Sequence, residues 1–204
     1  MALIENVDYE AIPAKAKEMR EHGKELNGEM TKAYATIAEM HAAWYGDRYN
    51  ELVKVFNRMI PSLNEMLTLV VTDFPFALET IANNYSQVDR GQNVTVASNE
   101  GPNKLNEIVV TEDVGMKFLT ADVQNAQERV STNFINSRDL MDKIETVYST
   151  IDWKSEASDA FKSKFTKLKN NIVASFEETN SQFKKLMEQT QQDVQNAENA
   201  NTVN

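Results

Sequence analysis

Cysteine is absent from the 204-residue chain, which excludes disulfides, thiolate metal sites and thiol nucleophiles while leaving the compartment open. Basic residues are in deficit. Twenty-one Lys and Arg stand against 31 Asp and Glu, a formal charge of −10 that argues against nucleic acid or anionic lipid as a partner. Only two histidines occur, His22 and His41, 19 residues apart, so no metal site is expected. No apolar run approaches the roughly 20 residues of a membrane span, and stable membrane insertion is not expected. The opening "MALIENVDYEAIPAKAKEMR" shows no charged segment followed by an apolar one, so no cleavable signal peptide is expected. A glycine-rich phosphate loop is missing, and no nucleophile, base and orienting group cluster along the chain. The residues therefore predict a non-enzymatic protein with no cofactor.

Apolar content is 41%, enough for a substantial core, and its spacing is helical. From Ile12 to Trp44, apolar or small residues recur in steps of four and three through Met19, Gly23, Leu26, Met30 and Ile37. This is the seam of a left-handed bundle, and Pro13 suits a first helical turn. After Gly46 the pattern resumes from Leu52 to Val88, with a slip near Phe74. Pro75 predicts a bend or short interruption there, because proline removes a backbone donor and crowds the preceding turn. Two further runs, Val123 to Ile151 and Phe161 to Val194, predict the third and fourth helices. Most of the nine methionines fall on these seams, where flexible side chains fill a core well.

Residues 91–115 hold three of the six glycines and a Gly-Pro pair, and read as a linker. Within it, "NVTVAS" and "NEIVVTE" could pair as a small hairpin, although nothing sets their register. The polar, amide-rich tail after Gln189 has little to bury, and its end is expected to fray.

The chain also repeats itself. An offset of 109 residues places Trp153 under Trp44, Ser155 under Gly46, Phe165 under Phe56, Phe183 under Phe74, Val194 under Tyr85 and Glu198 under Asp89. Upstream of the tryptophans the second copy is longer by seven residues, one heptad, which lengthens its first helix without rotating the buried face. Trp44-Tyr45-Gly46 then reads as the reversal of a helical hairpin, glycine tolerating the backbone such a turn requires. In the second copy Ser155 can serve the same junction as a helix N-cap.

Two antiparallel helices joined at Trp-X-Gly (Trp44, Gly46), with Tyr-x-x-x-Asp (Tyr85, Asp89) closing the second, resemble the WXG family of small helical hairpins of early-secreted-antigen (Esx) type. The second copy departs from the pattern: Trp153-Lys154-Ser155 replaces Trp-X-Gly, and Val194 with Glu198 forms a degenerate counterpart of the tyrosine and aspartate. The resemblance implies export through a type VII secretion apparatus, with Tyr85 and Asp89 in a signal that the secretion ATPase reads next to a partner's turn. It also implies a secreted effector, antigen or export partner, found outside the cell or at its surface. The alternative is an intracellular adaptor or targeting chaperone for a larger type VII toxin.

The expected fold is all-α: two tandem hairpins, residues 1–90 and 116–204, packed as an elongated antiparallel four-helix bundle in which one chain supplies both halves of a dimer. Linker length supports this arrangement. Helices of 32 residues or more are about 50 Å long, and about 25 extended residues reach roughly 80 Å, enough to return along the whole bundle. Tyr85 and Asp89 would then lie near Trp153. Lys162, Lys164, Lys167 and Lys169 make the fourth helix locally basic, with pairing to the acidic first repeat or simple solvation as the expected roles.

Overall fold

The structure, a computed structural model, describes residues 8–94, 96, 101–153 and 155–201. The first hairpin opens with α1, Ile12–Glu39, which closes in a short 3₁₀ turn over Met40–Ala42. A two-residue strand β1, Trp44–Tyr45, leads into α2, Asp47–Asn57. Two prolines then divide the returning helix. Pro61 cannot donate to Asn57, and α2 gives way to α3, Ile60–Thr68. Pro75 cannot donate to Val71, and the chain widens into a π turn over Leu69–Asp73, where the Phe74 N–H bonds to Leu69 O five residues back. Helix α4, Phe74–Arg90, ends on Gly91 in the left-handed conformation. The second hairpin is simpler: β2, Lys117–Phe118, then α5, Thr120–Ser149, and α6, Glu156–Asn201.

The π turn meets α1 where α1 has no side chain. A Cβ built on Gly23 would lie 2.7 Å from Val71 Cγ2 and 3.0 Å from Val70 Cγ2. Gly23 on the seam of α1 therefore makes room for the bulge that Pro75 creates.

Helix α1 packs along α5 and against α4, while α2 and α3 pack against α6. The hairpins are antiparallel, because residue numbers fall on α6 as they rise on the first hairpin: Arg58 pairs with Glu178 at 2.7 Å and Glu65 with Lys164 at 2.9 Å. At mid-bundle the rings of Phe56, Phe134 and Phe176 stack in sequence, at 6.5 and 4.3 Å between centroids. Seven of the nine methionines, Met19, Met30, Met40, Met59, Met66, Met141 and Met187, lie in this core. The predicted four-helix bundle of two hairpins is thus present, with its second helix in three pieces.

Three local features add to this outline. The only sheet among the described residues joins β1 to β2, with Trp44 opposite Phe118 and Tyr45 opposite Lys117, so the entry of the second hairpin pairs with the first turn. The "NEIVVTE" segment is extended but not in a sheet, and "NVTVAS" lies largely outside the described residues. The polar tail is helical to Asn201, with amide pairs at i,i+4 spacing between Gln192 and Asn196 and between Gln195 and Asn199, and the end expected to fray lies outside the described residues. Arg20 of α1 turns inward to α4. It forms a two-pronged ion pair with Glu79, the second contact at 2.8 Å, and their side chains are only 13% and 4% exposed.

The linker runs back along the first hairpin, held by a row of asparagines. Asn64 donates to Leu105 O at 2.8 Å and accepts from Leu105 N–H at 2.9 Å. Asn57 makes the same pair of bonds to Ile108, at 2.9 and 3.0 Å, and Asn50 donates to Thr111 O at 3.1 Å. Seven residues of helix rise about 10.5 Å, and three extended residues span about 10 Å, so each rung meets the next linker carbonyl in step. Ile108 is buried at the middle rung.

Candidate functional site at the hairpin turns

Each hairpin ends in a tryptophan roofed by a phenylalanine of the other hairpin. Trp44 is buried and stacks on Phe183, with centroids 6.0 Å apart and planes at 28°. Trp153 is buried and stacks on Phe74 at 5.9 Å and 28°. These are equivalent pairs under the 109-residue offset, so the internal repeat of the sequence appears as a pseudo-two-fold axis.

The turns themselves differ. At the first, Gly46 has φ of 117°, a region that disfavours residues bearing a Cβ, and caps α2 without a side chain. The entry of the second hairpin closes over it: Phe118 meets Trp44 edge-on at 5.6 Å, and Leu119 N–H bonds to Ala43 O at 2.9 Å. At the second, Ser155 Oγ accepts from the Ser158 N–H at 3.1 Å, the N-cap geometry that replaces glycine's freedom. The indole Nε1 of Trp153 is buried with no hydrogen-bond partner among the described residues.

Beyond Phe74 the first hairpin outruns the second. Tyr85 lies eleven residues further along α4, about 16 Å by helical rise. The structure therefore sets Trp153 against Phe74 and does not bring it to Tyr85 or Asp89. Leu78 and Ala82 remain buried there, but Tyr85 is 38% exposed and Val88 is 89% exposed. The buried side of α4 runs on through Ser86, and Tyr85 and Val88 lie on its outward side. At the other end α6 outruns the first turn in the same way, carrying Val194 part-buried and Glu198 exposed.

Asp89 is engaged by its own hairpin. Tyr9 donates its hydroxyl to Asp89, Arg90 pairs with Glu10, and the Arg90 guanidinium sits 5.4 Å from the centre of the Tyr9 ring. The hydrogen bond to Asp89 raises the Tyr9 phenol above its ordinary pKa of 10.0. These contacts fix the start of α1 beside the end of α4 and hold the Asp89 carboxylate in one place next to Tyr85.

Neither histidine is in a metal or catalytic arrangement. His22 faces Glu25 at 3.3 Å on the helix surface. His41 Nε2 lies 2.7 Å from Asp113 Oδ2 and 3.0 Å from Thr111 Oγ1. A relay would need the acid on one ring nitrogen and the nucleophile on the other, whereas both groups crowd Nε2. The bond from His41 holds the Asp113 carboxyl below its ordinary value. Nearby, burial pushes the Tyr49 phenol up to about 12, with its hydroxyl donating to Ile37 O at 3.1 Å. No group of three or more potential metal ligands occurs among the described residues. Of the fourth-helix lysines, Lys164 pairs with Glu65 of the first hairpin, while Lys169 pairs with Asp142 and Glu145 of its own. Lys162 and Lys167 face a shallow polar groove on the same helix.

Residues 6–90 match the family model described as "Proteins of 100 residues with WXG", WXG100. The first hairpin is a WXG100 domain. Its match ends at Arg90, where α4 ends, and includes Trp44, Gly46, Tyr85 and Asp89. Comparison with curated proteins and with solved structures returned no match. WXG100 proteins are secreted, non-enzymatic helical proteins and substrates of type VII secretion. Among the described residues no helix is long and apolar enough to cross a membrane. What the pattern of the sequence left unseen was the asparagine row. Its signal was the seven-residue spacing of Asn50, Asn57 and Asn64, which by itself reads as an ordinary polar stripe.

Proposed function

We propose that the chain is exported whole by a type VII apparatus as a single-chain pseudo-dimer, and that Tyr85 and Asp89 form the signal its secretion ATPase reads. The observation that carries this reading is the overhang. Tyr85 and Val88 remain open beyond the second hairpin, and Asp89 is held beside them by Tyr9. The tryptophans, by contrast, are buried and act in the fold. The second hairpin fills the place a separate partner would take, so the protein travels as a monomer. Outside the cell, or at its surface, it acts as an effector, an antigen or an export partner of another secreted protein or toxin. Its degenerate pair, Val194 and Glu198, carries no signal.

Fractionation of a producing culture, with and without the secretion ATPase, tests this directly. Wild-type protein and the Val194→Ala variant are expected in the medium only when the ATPase is present. Tyr85→Ala and Asp89→Ala are expected to remain in the cells with unchanged helical circular dichroism. Normal export of both variants would refute the signal assignment. Retention of the wild type inside cells with a working apparatus would replace export by the adaptor reading.

A further inference from the structure

The asparagine row on α2 and α3 does more than tether a linker. The geometry points to an extended-peptide-binding groove, occupied in the free chain by residues 105–111 and able to take an extended segment of a partner protein in their place. This site is separate from the overhang at the end of α4.

Three observations carry the assignment. Asn57 and Asn64 each bond both the N–H and the C=O of one linker residue, as a neighbouring β-strand would. They read main chain, which any peptide possesses, and the side chain selected most tightly is the apolar one buried at Ile108. Such recognition by strand-like addition draws affinity from backbone bonds and specificity from alternate side-chain pockets.

The built-in occupant also fits incompletely. At the third rung Asn50 donates to Thr111 O, but its own Oδ1 is buried without a hydrogen-bond partner among the described residues. The linker leaves that rung incomplete: Thr111 offers Asn50 its carbonyl but no N–H, while its hydroxyl and Asp113 meet His41. A buried acceptor left unpaired is costly, so a peptide that presents an N–H at the third rung would recover a bond the linker forgoes.

The groove also continues past that point. Asn50 lines a cleft of about 680 Å³ together with Gly46, Arg48, Glu112 and Met116, bounded on one side by the linker itself. The ligand is therefore an extended polypeptide, apolar at two positions three residues apart to match Leu105 and Ile108, with its C-terminal end directed toward the cleft beside the first turn. In the free chain the tethered linker competes at an effective concentration on the order of millimolar, so the site is masked until a stronger or more complete ligand displaces it.

The test uses the full chain and a fluorescein-labelled peptide carrying residues 103–113. Ile108→Asp in the chain weakens the built-in occupant without altering a helix. By fluorescence anisotropy this variant is expected to bind the peptide roughly tenfold or more tightly than the unaltered chain, because its competitor is weakened. Adding Asn57→Leu is expected to remove that gain. N-methylation of the peptide at Ile108, which deletes the N–H that Asn57 accepts, is expected to abolish binding. Equal binding by both chains, indifference to N-methylation, or no binding to a folded Ile108→Asp chain would each overturn the assignment. If circular dichroism shows that the substitution unfolds the bundle, the unaltered chain decides. Saturating unlabelled peptide should accelerate amide exchange at Leu105 and Ile108, and unchanged exchange would overturn the groove.

Discussion

Gly23 and Gly28 lie in the same helix and should respond in opposite directions to the same substitution. Replacing either with alanine restricts the unfolded chain and improves helix propensity, by about 1 kcal/mol in an exposed helix interior. At Gly28 nothing lies within 4 Å of the added Cβ, so that gain should appear in full. At Gly23 the Cβ meets Val71 Cγ2 at 2.7 Å and Val70 Cγ2 at 3.0 Å, against a preferred carbon separation of about 3.5 to 4.0 Å. The valines have little room to turn aside, because β-branched side chains in helices hold one rotamer and these two sit in a π turn imposed by Pro75. Overpacking of this kind costs about 1 to 3 kcal/mol, which outweighs the propensity gain. Gly23→Ala is therefore expected to destabilise by about 1 kcal/mol and Gly28→Ala to stabilise by about as much, a separation of roughly 2 kcal/mol. For a chain of this size that corresponds to about 4 to 8 °C between the two melting temperatures. Urea titration followed by far-UV circular dichroism measures both on one scale. Equal stabilisation by the two alanines would refute the claim that α1 and the π turn meet at Gly23.

The pseudo-symmetric stacking predicts that Phe74→Ala and Phe183→Ala destabilise to a similar degree, about 3 to 5 kcal/mol each, and denaturant midpoints that differ widely would break the equivalence. Glu79→Leu leaves the Arg20 guanidinium buried without its carboxylate and is expected to cost about 3 kcal/mol or more, whereas adding Arg20→Met should recover much of the loss. A double-mutant cycle showing additive effects would remove the pair from the account of α1 and α4 packing. The Asp113 carboxyl titrates below its ordinary value because His41 binds it, so its contribution to holding the linker is present above the ordinary carboxylate range and is lost as pH falls through the depressed value. Carbon-13 NMR should show that low value in the native chain and a rise toward 3.8 in His41→Ala; an unchanged titration would dissociate the histidine from the latch.

Helix positions were legible because burial imposes a period on the sequence. The alternating steps of α1 predicted its buried face, and the slip at Phe74 marked the π turn that Pro75 produces. The repeat was equally legible, since two copies of one packing problem retain the same aromatic residues at the same spacing. The linker was not. Its contacts are bonds from side-chain amides to main chain, and any linker sequence offers the same N–H and C=O groups, so residues 105–111 bear little trace of their docking. Asn50, Asn57 and Asn64 carry the trace instead, on a helical face where asparagine is unremarkable.

The placement of Tyr85 relative to Trp153 separates two properties that linker length alone runs together. A long linker permits antiparallel hairpins, but it sets only a limit on how far one may slide along the other. The axial offset is decided by side chains, Phe74 against Trp153 and Phe183 against Trp44. Those contacts stop each hairpin short of its neighbour's C-terminal turns, so both returning helices project beyond the shared core. In α4 the projection presents Tyr85 and Val88 to solvent, and the hydrogen bond from Tyr9 holds Asp89 beside them. In α6 the same projection is polar. The repeat therefore has two corresponding ends, and because Val194 stands where the first has Tyr85, only the end of α4 presents both a tyrosine ring and a carboxylate held in place.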